Sequence, residues 1–300
     1  MMSADQRGSF YAILSGFLYG FIGYFGLSAI NGNLSPATML FWRFLISSSL
    51  IFMLLIPKYK TLTDTPKQMV WAFINGAVYY GFSTLLYFLA CQYIGTGLAM
   101  VIFFTYPVII MLLNYFIYGQ FIPPIYYLAT LIILFGMVLM VDMNEIGFVL
   151  FGIAFGLASA FFYACYIISS KRNKISPSLS TLLVSLGCMM TSFIVAWSGN
   201  TFSVPAASAV WVNLLGIGIV ATAIPILLML HSLKYISSEK ASILSVLEPV
   251  FVVIFGVLLL GEELKPWHAL GILFVLTGAI ITLFSHKIKL SHLYAKTRSH

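Results

Sequence analysis

The stretch SVLEPVFVVIFGVLLLGEEL, from Ser245 to Leu264, sets a carboxylate and a proline side by side in an otherwise apolar run. A carboxyl group at the centre of a membrane helix costs about 2.5–3.5 kcal/mol on insertion scales. Glu248 therefore has chemistry to offer there, either a proton to carry or a charge to set against a cation. Pro249 has no backbone N–H, so the carbonyl of Ser245 loses its helical partner. Arg43 is a second charge inside an apolar run. Its guanidinium presents a planar fork of donors suited to a carboxylate or a phosphate.

Hydroxyl-bearing aromatic residues form a third group. Gly76, Tyr79, Tyr80, Ser83 and Tyr87 recur at three- and four-residue steps, as do Ser159, Tyr163 and Tyr166, and Ser15, Tyr19 and Gly23. Phe103, Tyr106 and Trp42 join them. Buried Tyr and Trp want a partner for their polar end. A partly wet cavity lined by such side chains would suit a ligand with an apolar body and few charges. Interfacial belts and helix packing are the competing explanation, and account for many of the aromatics.

Helical spacing puts Ala241, Ser245, Glu248 and Val252 on one face, a small and polar stripe that would turn the carboxyl away from lipid. The competing reading of Glu248 is a protonated carboxyl hydrogen-bonded at a helix break. Arg43 enters about 9 Å deep from one side and Glu248 about 10 Å from the other, at 1.5 Å per residue. In a core of about 30 Å the two backbones stand a third of the thickness apart, which argues against a direct pair. Snorkelling to a lipid phosphate, or a structural role, leads for Arg43. Binding a substrate carboxylate is the alternative.

The elements that hold these residues follow from composition. The chain has 300 residues, is 61% hydrophobic and only 8% charged, with mean hydropathy +1.03. Soluble domains carry about 25% charge, so the chain reads as an all-α polytopic membrane protein. Ten apolar runs are long enough to cross: Gly8–Ile30, Pro36–Ile56, Gln68–Ile94, Gly97–Tyr118, Pro124–Val141, Gly147–Ser170, Ser178–Trp197, Ala209–Leu233, Ala241–Leu260 and Pro266–Ser285. The first is too long for a signal-peptide core and lacks a cleavage end. With the N-terminus inside, only Lys265 of the fifteen Lys and Arg residues falls outside and only Arg43 within a span. That asymmetry puts both termini in the cytoplasm of a cell (inner) membrane protein. It also assigns the +7 net charge to membrane lipids rather than to nucleic acid.

The chain repeats itself. At an offset of 142 residues, Tyr93 to Val141 lies over Tyr235 to Leu283 without a gap. Pro107 meets Pro249, Gly119 meets Gly261 and Gly136 meets Gly278. At nearly the same offset Ser35-Pro36 meets Ser176-Pro177. Each half holds five spans, and an odd number forces the second copy to insert upside down. Inverted repeats are a transporter architecture, because exchanging the conformations of the halves turns an outward opening into an inward one. Paired interruptions such as Pro107 and Pro249 point to the binding site and are the expected hinges. A plain packing kink is the alternative for each.

The pattern Arg43-Phe44, then YFLACQYIGTGLAMVIFFTYPVIIMLL, then HSLKYISSEKASILSVLEPVFVVIFGVLLLGEELKPWHALGILFVLTGAI, resembles the EamA-type transporters of the drug/metabolite transporter superfamily. Gly119-Gln120 departs from it where the second copy has Gly261-Glu262. The resemblance implies ten helices around a central cavity and the transport of small metabolites, often the export of amino acids or related compounds. The expected division is a first repeat over 1–143, an inverted second over 144–286 and a basic tail over 287–300.

Other groups are plainer. Cys91, Cys165 and Cys188 lie within spans without ligand spacing, and His231 and His268 lie near span ends. Asp142 and Glu145 belong to the connection between repeats, and Glu262 and Glu263 to a helix start before Pro266. No P-loop, HExxH, metal cluster or nucleophile–base motif occurs, so no enzyme activity, ATP-driven step or cofactor is expected. The expected partners are a small-molecule substrate, protons as a candidate coupling ion, and membrane lipids. A drug or organic-cation exporter and a lipid-headgroup translocator are the alternatives.

Overall fold

Ser-Pro and Thr-Pro pairs and isolated glycines punctuate the apolar runs and set where helices begin and turn. The computed structural model of the protein describes residues 2–22, 24–25, 34–57, 63–141, 150–260 and 265–297. Every regular element among them is a helix. Helix α1 (Ala4–Tyr19) opens on a capping box between Ser3 and Gln6. Ser35 and Thr65 likewise cap α2 (Pro36–Leu55) and α3 (Pro66–Ile74), each followed by a proline whose missing N–H is harmless in a first turn. A π-helical turn (Asn75–Tyr80) joins α3 to α4 (Gly81–Phe103), and α5 (Tyr106–Tyr118) and α6 (Pro124–Leu139) complete the first half. The second half runs α7 (Leu150–Arg172), α8 (Pro177–Ser198), α9 (Ser208–Gly218), a second π-helical turn (Ile219–Ala223) and α10 (Ile224–Tyr235). It ends with α11 (Ser238–Ser245), α12 (Glu248–Leu260) and α13 (Pro266–Thr297).

Large apolar side chains cover the outside as well as the core, and several polar ones are buried. Phe116, Phe121 and Leu150 are 75%, 78% and 79% exposed, while Arg43, Asn75, Asn114, Glu239 and Lys240 are buried. In hydrocarbon each backbone polar group must be satisfied within the chain, which helices alone do segment by segment.

Among the described residues seven helical stretches are long and apolar enough to cross a membrane, and Tyr106–Tyr118 and Pro124–Leu139 are shorter apolar helices. The count by length differs from ten for identifiable reasons. The stretch Pro66–Phe103 counts once, yet it folds back at Gly95, whose φ of 75° and ψ of 160° are not helical. The rings of Tyr87 and Phe103 lie 5.4 Å apart, where a straight helix would separate sixteen residues by about 24 Å. Only glycine takes that backbone conformation without strain. The first apolar run also breaks, because α1 ends at Tyr19 and tight turns follow at Gly20 and Phe21. Gly23, the Asn31–Asn33 turn, Lys58, Lys60, Asp142, Glu145 and Gly261 to Glu263 lie outside the described residues.

The two halves exchange partners. Helix α1 packs on α10 and α7 packs on α4, so each half sets its first helix against the other half's third. Gly8 abuts Tyr235 and Ile236, while Gly152 abuts Tyr93 and Ile94, their counterparts at the 142-residue offset. Helices α2 and α8, and α6 and α13, close the remaining two contacts between equivalent elements. One core runs through both halves, with Tyr19, Phe44, Tyr80, Tyr106, Tyr163 and Tyr166 at its centre.

Candidate functional site

Pro107 and Pro249 occupy the second positions of α5 and α12, each after a two-residue interruption of the α-helix, at Phe104–Thr105 and Val246–Leu247. Tight i→i+3 bonds carry the chain through: Thr105 N–H to Ile102 O at 3.1 Å, and Val246 N–H to Ile243 O at 3.3 Å. The expected single stripe from Ala241 to Val252 is therefore interrupted, since Ser245 ends one helix and Glu248 begins the next. The cause is Pro249, which cannot give Ser245 an N–H. At the 142-residue offset Phe103 matches Ser245, and Tyr106 matches Glu248. Equivalent residues thus flank both breaks.

A second pair of interruptions was not anticipated from sequence. The π-helical turns at Asn75–Tyr80 and Ile219–Ala223 fall at matching places in the two halves, with Gly76 opposite Gly218 and Tyr80 opposite Thr222 at the 142-residue offset. Such turns are rare and tend to occur at functional sites. At each, a glycine admits close backbone contact: Gly76 lies against Val184, and Gly218 against the Arg43 carbonyl and Ile46. Polar side chains hold the widened turns. Thr191 Oγ1 donates to Ala77 O at 2.7 Å, and Asn75 Nδ2 donates to Ser170 Oγ at 2.8 Å. The repeated Gly76/Gly218 match was the available signal.

Arg43 does not snorkel. It is 3% exposed, and its Nε donates to Thr222 Oγ1 at 2.5 Å while Nη2 donates to Ala221 O at 3.3 Å. The close approach of the second π turn to α2 encloses it, which depth along a helix does not reveal. Two donors are engaged, and no ion pair to Arg43 occurs among the described residues. Glu248 is partly buried, and its carboxyl makes no hydrogen bond among the described residues. Phe44, next to Arg43, packs edge-on against Tyr80 at 5.8 Å, and Glu248 follows the turn after Ser245, whose hydroxyl pairs with Tyr106. The two charged residues form no direct pair among the described residues, but they border one neighbourhood.

That neighbourhood is aromatic. Tyr80 stacks on Tyr166 with centroids 4.7 Å apart, and its hydroxyl lies 3.3 Å from that of Tyr19. Tyr163 meets Tyr106 edge-on at 4.7 Å and Phe103 at 5.1 Å. The Tyr106 hydroxyl pairs with Ser245 Oγ at 2.6 Å, so the two helix breaks touch. The rings pack against one another, with Tyr19, Tyr80, Tyr106, Tyr163 and Tyr166 all buried. Tyr166 Oη and Asn75 Oδ1 are buried there without hydrogen-bond partners among the described residues.

Three expected residues lie elsewhere. Ser83 donates to Ser159 O at 2.9 Å and accepts no ring neighbour, because α4 and α7 approach closely enough to share their small hydroxyls. Trp42 packs edge-on against Trp211 at 4.9 Å, and its Nε1 donates to Ser203 O at 3.0 Å, at the α8–α9 connection. Tyr79 is half-buried at the edge of the core.

The sequence matches the EamA-like transporter family over residues 6–142 and again over 150–284. An uncharacterized transporter of Clostridium kluyveri is 25% identical over 94% of each chain. The threonine/homoserine exporter RhtA of Escherichia coli K12 is 27% identical over 68% of each. One solved crystal structure superposes with a TM-score of 0.79 at 20% identity, covering 96% of this chain and 99% of its own, a likeness of fold.

Proposed function

The chain belongs to the EamA-like transporter family, and we propose that it is a gradient-driven exporter of small zwitterionic metabolites such as amino acids. On this reading ten crossings form two five-helix halves, 1–143 and 144–286, inserted in opposite orientations in the cell membrane. Both ends, including the basic tail 287–300, face the cytoplasm. The charge asymmetry and the exchanged packing of α1 on α10 and α7 on α4 support it. The carrying observation is the meeting of two helix breaks, one per half, in an aromatic cluster that Arg43 and Glu248 border.

The roles follow from the chemistry. Arg43 takes the substrate carboxylate with the donors that Thr222 and Ala221 leave free. Glu248 takes the ammonium group or, in the empty carrier, a proton. Tyr80, Tyr163, Tyr166, Tyr106 and Phe103 part to admit the apolar body and close behind it, and Tyr19 closes the cluster from α1. Swinging α5 and α12 about Pro107 and Pro249 opens the cluster to alternate sides. RhtA, a threonine/homoserine exporter by name, makes those amino acids the first candidates. A buried guanidinium disfavours a purely cationic drug.

Counterflow in proteoliposomes tests this. Labelled threonine or homoserine, then the remaining amino acids, should exchange saturably, and Arg43→Gln should abolish exchange. Carriage of organic cations but no amino acid would make the protein a drug exporter, and a requirement for an acyl tail would make it a lipid-headgroup translocator.

A further inference from the structure

A second space lies away from the aromatic cluster, where the end of α7, the connection into α8 and the last turns of α10 converge. It is a cavity of about 310 Å³ whose walls include Ser170, Lys171, Lys174, Ser180 and Lys234. That volume is at the small end of ligand sites, which run from about 300 Å³ upward. Lys171, Lys174 and Lys234, all exposed, line it, and no carboxylate is among its lining residues. Lys171 is fixed in place, its Nζ donating to Leu233 O at 2.5 Å and Ile236 O at 2.8 Å, carbonyls left over at the end of α10. Lys174 and Lys234 form no ion pair or hydrogen bond among the described residues.

The neighbouring charges are already engaged. Lys240 pairs with Asp5 at 2.8 Å, and Arg172 lies 3.2 Å over the Tyr118 ring. Asp64, which precedes α3, accepts from the Ser176 N–H at 2.8 Å and hydroxyl at 2.7 Å. Glu239 acts on Lys171 electrostatically but is held by Asn114. Ser180, at 4% exposure, is part of the wall, and its hydroxyl has no hydrogen-bond partner among the described residues. A lysine-lined cavity with a serine hydroxyl in its wall suits an anion with acceptor oxygens.

We propose that this cavity is an oxyanion site, taking the phosphate or carboxylate of an anionic ligand. Two sources offer that chemistry: the headgroup of an acidic phospholipid, which basic pockets between membrane helices recognise, and a free oxyanion from solution. The site is separate from the aromatic cluster but adjoins it. Ser170 in its wall accepts from Asn75 on the first π turn.

The test is thermal unfolding of the purified full-length protein in neutral detergent. It is titrated with dihexanoyl phosphatidylglycerol, with dihexanoyl phosphatidylcholine, and with sodium phosphate against sodium chloride at equal ionic strength. Saturable stabilisation by phosphatidylglycerol or by phosphate, and not by the two controls, is expected. Stabilisation by the lipid alone assigns a headgroup, and stabilisation by phosphate assigns the free oxyanion. Lys174→Gln and Lys234→Gln should each weaken the apparent affinity about fivefold, while arginine at both positions should preserve it. Ser180→Ala should weaken it roughly fivefold with all charges kept. No stabilisation by either anion, an equal effect of phosphatidylcholine, or an anion effect unchanged in the glutamine variants would overturn the proposal.

Discussion

Replacing Thr222 by valine removes one oxygen from a fully buried position and keeps the branched shape. That oxygen accepts from Arg43 Nε at 2.5 Å, and its own proton goes to Ile217 O at 2.6 Å. The longer bond from Nη2 to Ala221 O, at 3.3 Å, would then be the sole anchor of the guanidinium shown here. A hydrogen bond to a charged group contributes about 1.5–3 kcal/mol net. If the bond serves to aim Arg43 at the substrate carboxylate, losing about 2 kcal/mol raises the half-saturating concentration roughly thirtyfold. Exchange of an amine lacking the carboxylate should be equally poor in both proteins. The assay is counterflow at graded substrate concentration, with melting curves of the same preparations. A Thr222→Val protein that melts lower but exchanges amino acids with unchanged half-saturation would refute the reasoning and leave Arg43 as a brace for the π turn.

Glu248→Gln keeps size and hydrogen-bonding capacity but cannot titrate, so uptake should lose its dependence on a pH gradient while counterflow survives. Unchanged pH dependence would place coupling elsewhere. Pro107→Ala and Pro249→Ala each restore an N–H for the carbonyl before the break. If the halves are oppositely oriented as proposed, they should shift accessibility of reporter cysteines at the two mouths in opposite directions, by about tenfold for 1.4 kcal/mol, and shifts of one sign would remove the hinge role. Asp5→Asn leaves the Lys240 ammonium, 4% exposed, without the carboxylate 2.8 Å away. Because Asp5 is 40% exposed, the loss should be about 1–2 kcal/mol and not the 3–5 of a fully buried pair. It should show as a lower melting temperature whose gap narrows in high salt, and a salt-independent gap would exclude the ion pair as its cause.

What the sequence disclosed and what it hid divide along a physical line. Pro107 and Pro249 were legible because proline removes a donor wherever it sits, and the α-helix is interrupted for two residues before each. Tyr19, Tyr80, Tyr106, Tyr163 and Tyr166 were legible because helical spacing of hydroxyl-bearing rings survives packing. The π turns were hidden, since one extra residue in a turn leaves no mark in composition. The fate of Arg43 was hidden with them. Its depth could be counted along α2, but its enclosure depends on Gly218 letting another helix approach, a relation between distant segments. The partner of Ser83 was hidden in the same way, since its spacing matched the aromatic stripe but could not show that α7 comes close enough to bond it through Ser159.

The repeat also separates geometry from chemistry. Several devices that shape the backbone occur twice: the prolines at 107 and 249, the glycines at 76 and 218, and the π turns that contain or adjoin them. The charged groups occur once. Glu248 stands opposite Tyr106, and Arg43 stands opposite Val184 at the 141-residue offset that aligns the Ser-Pro pairs. Halves that must trade conformations need the same breaks and the same wide turns, since each must reach the shape of the other. A substrate with unlike ends gains nothing from a second carboxylate or a second guanidinium, because it can lie in the site only one way. An unpaired buried charge is also costly wherever it is duplicated. A paired scaffold carrying unpaired charges is the arrangement expected of a carrier that is symmetric in its motion and asymmetric in what it holds.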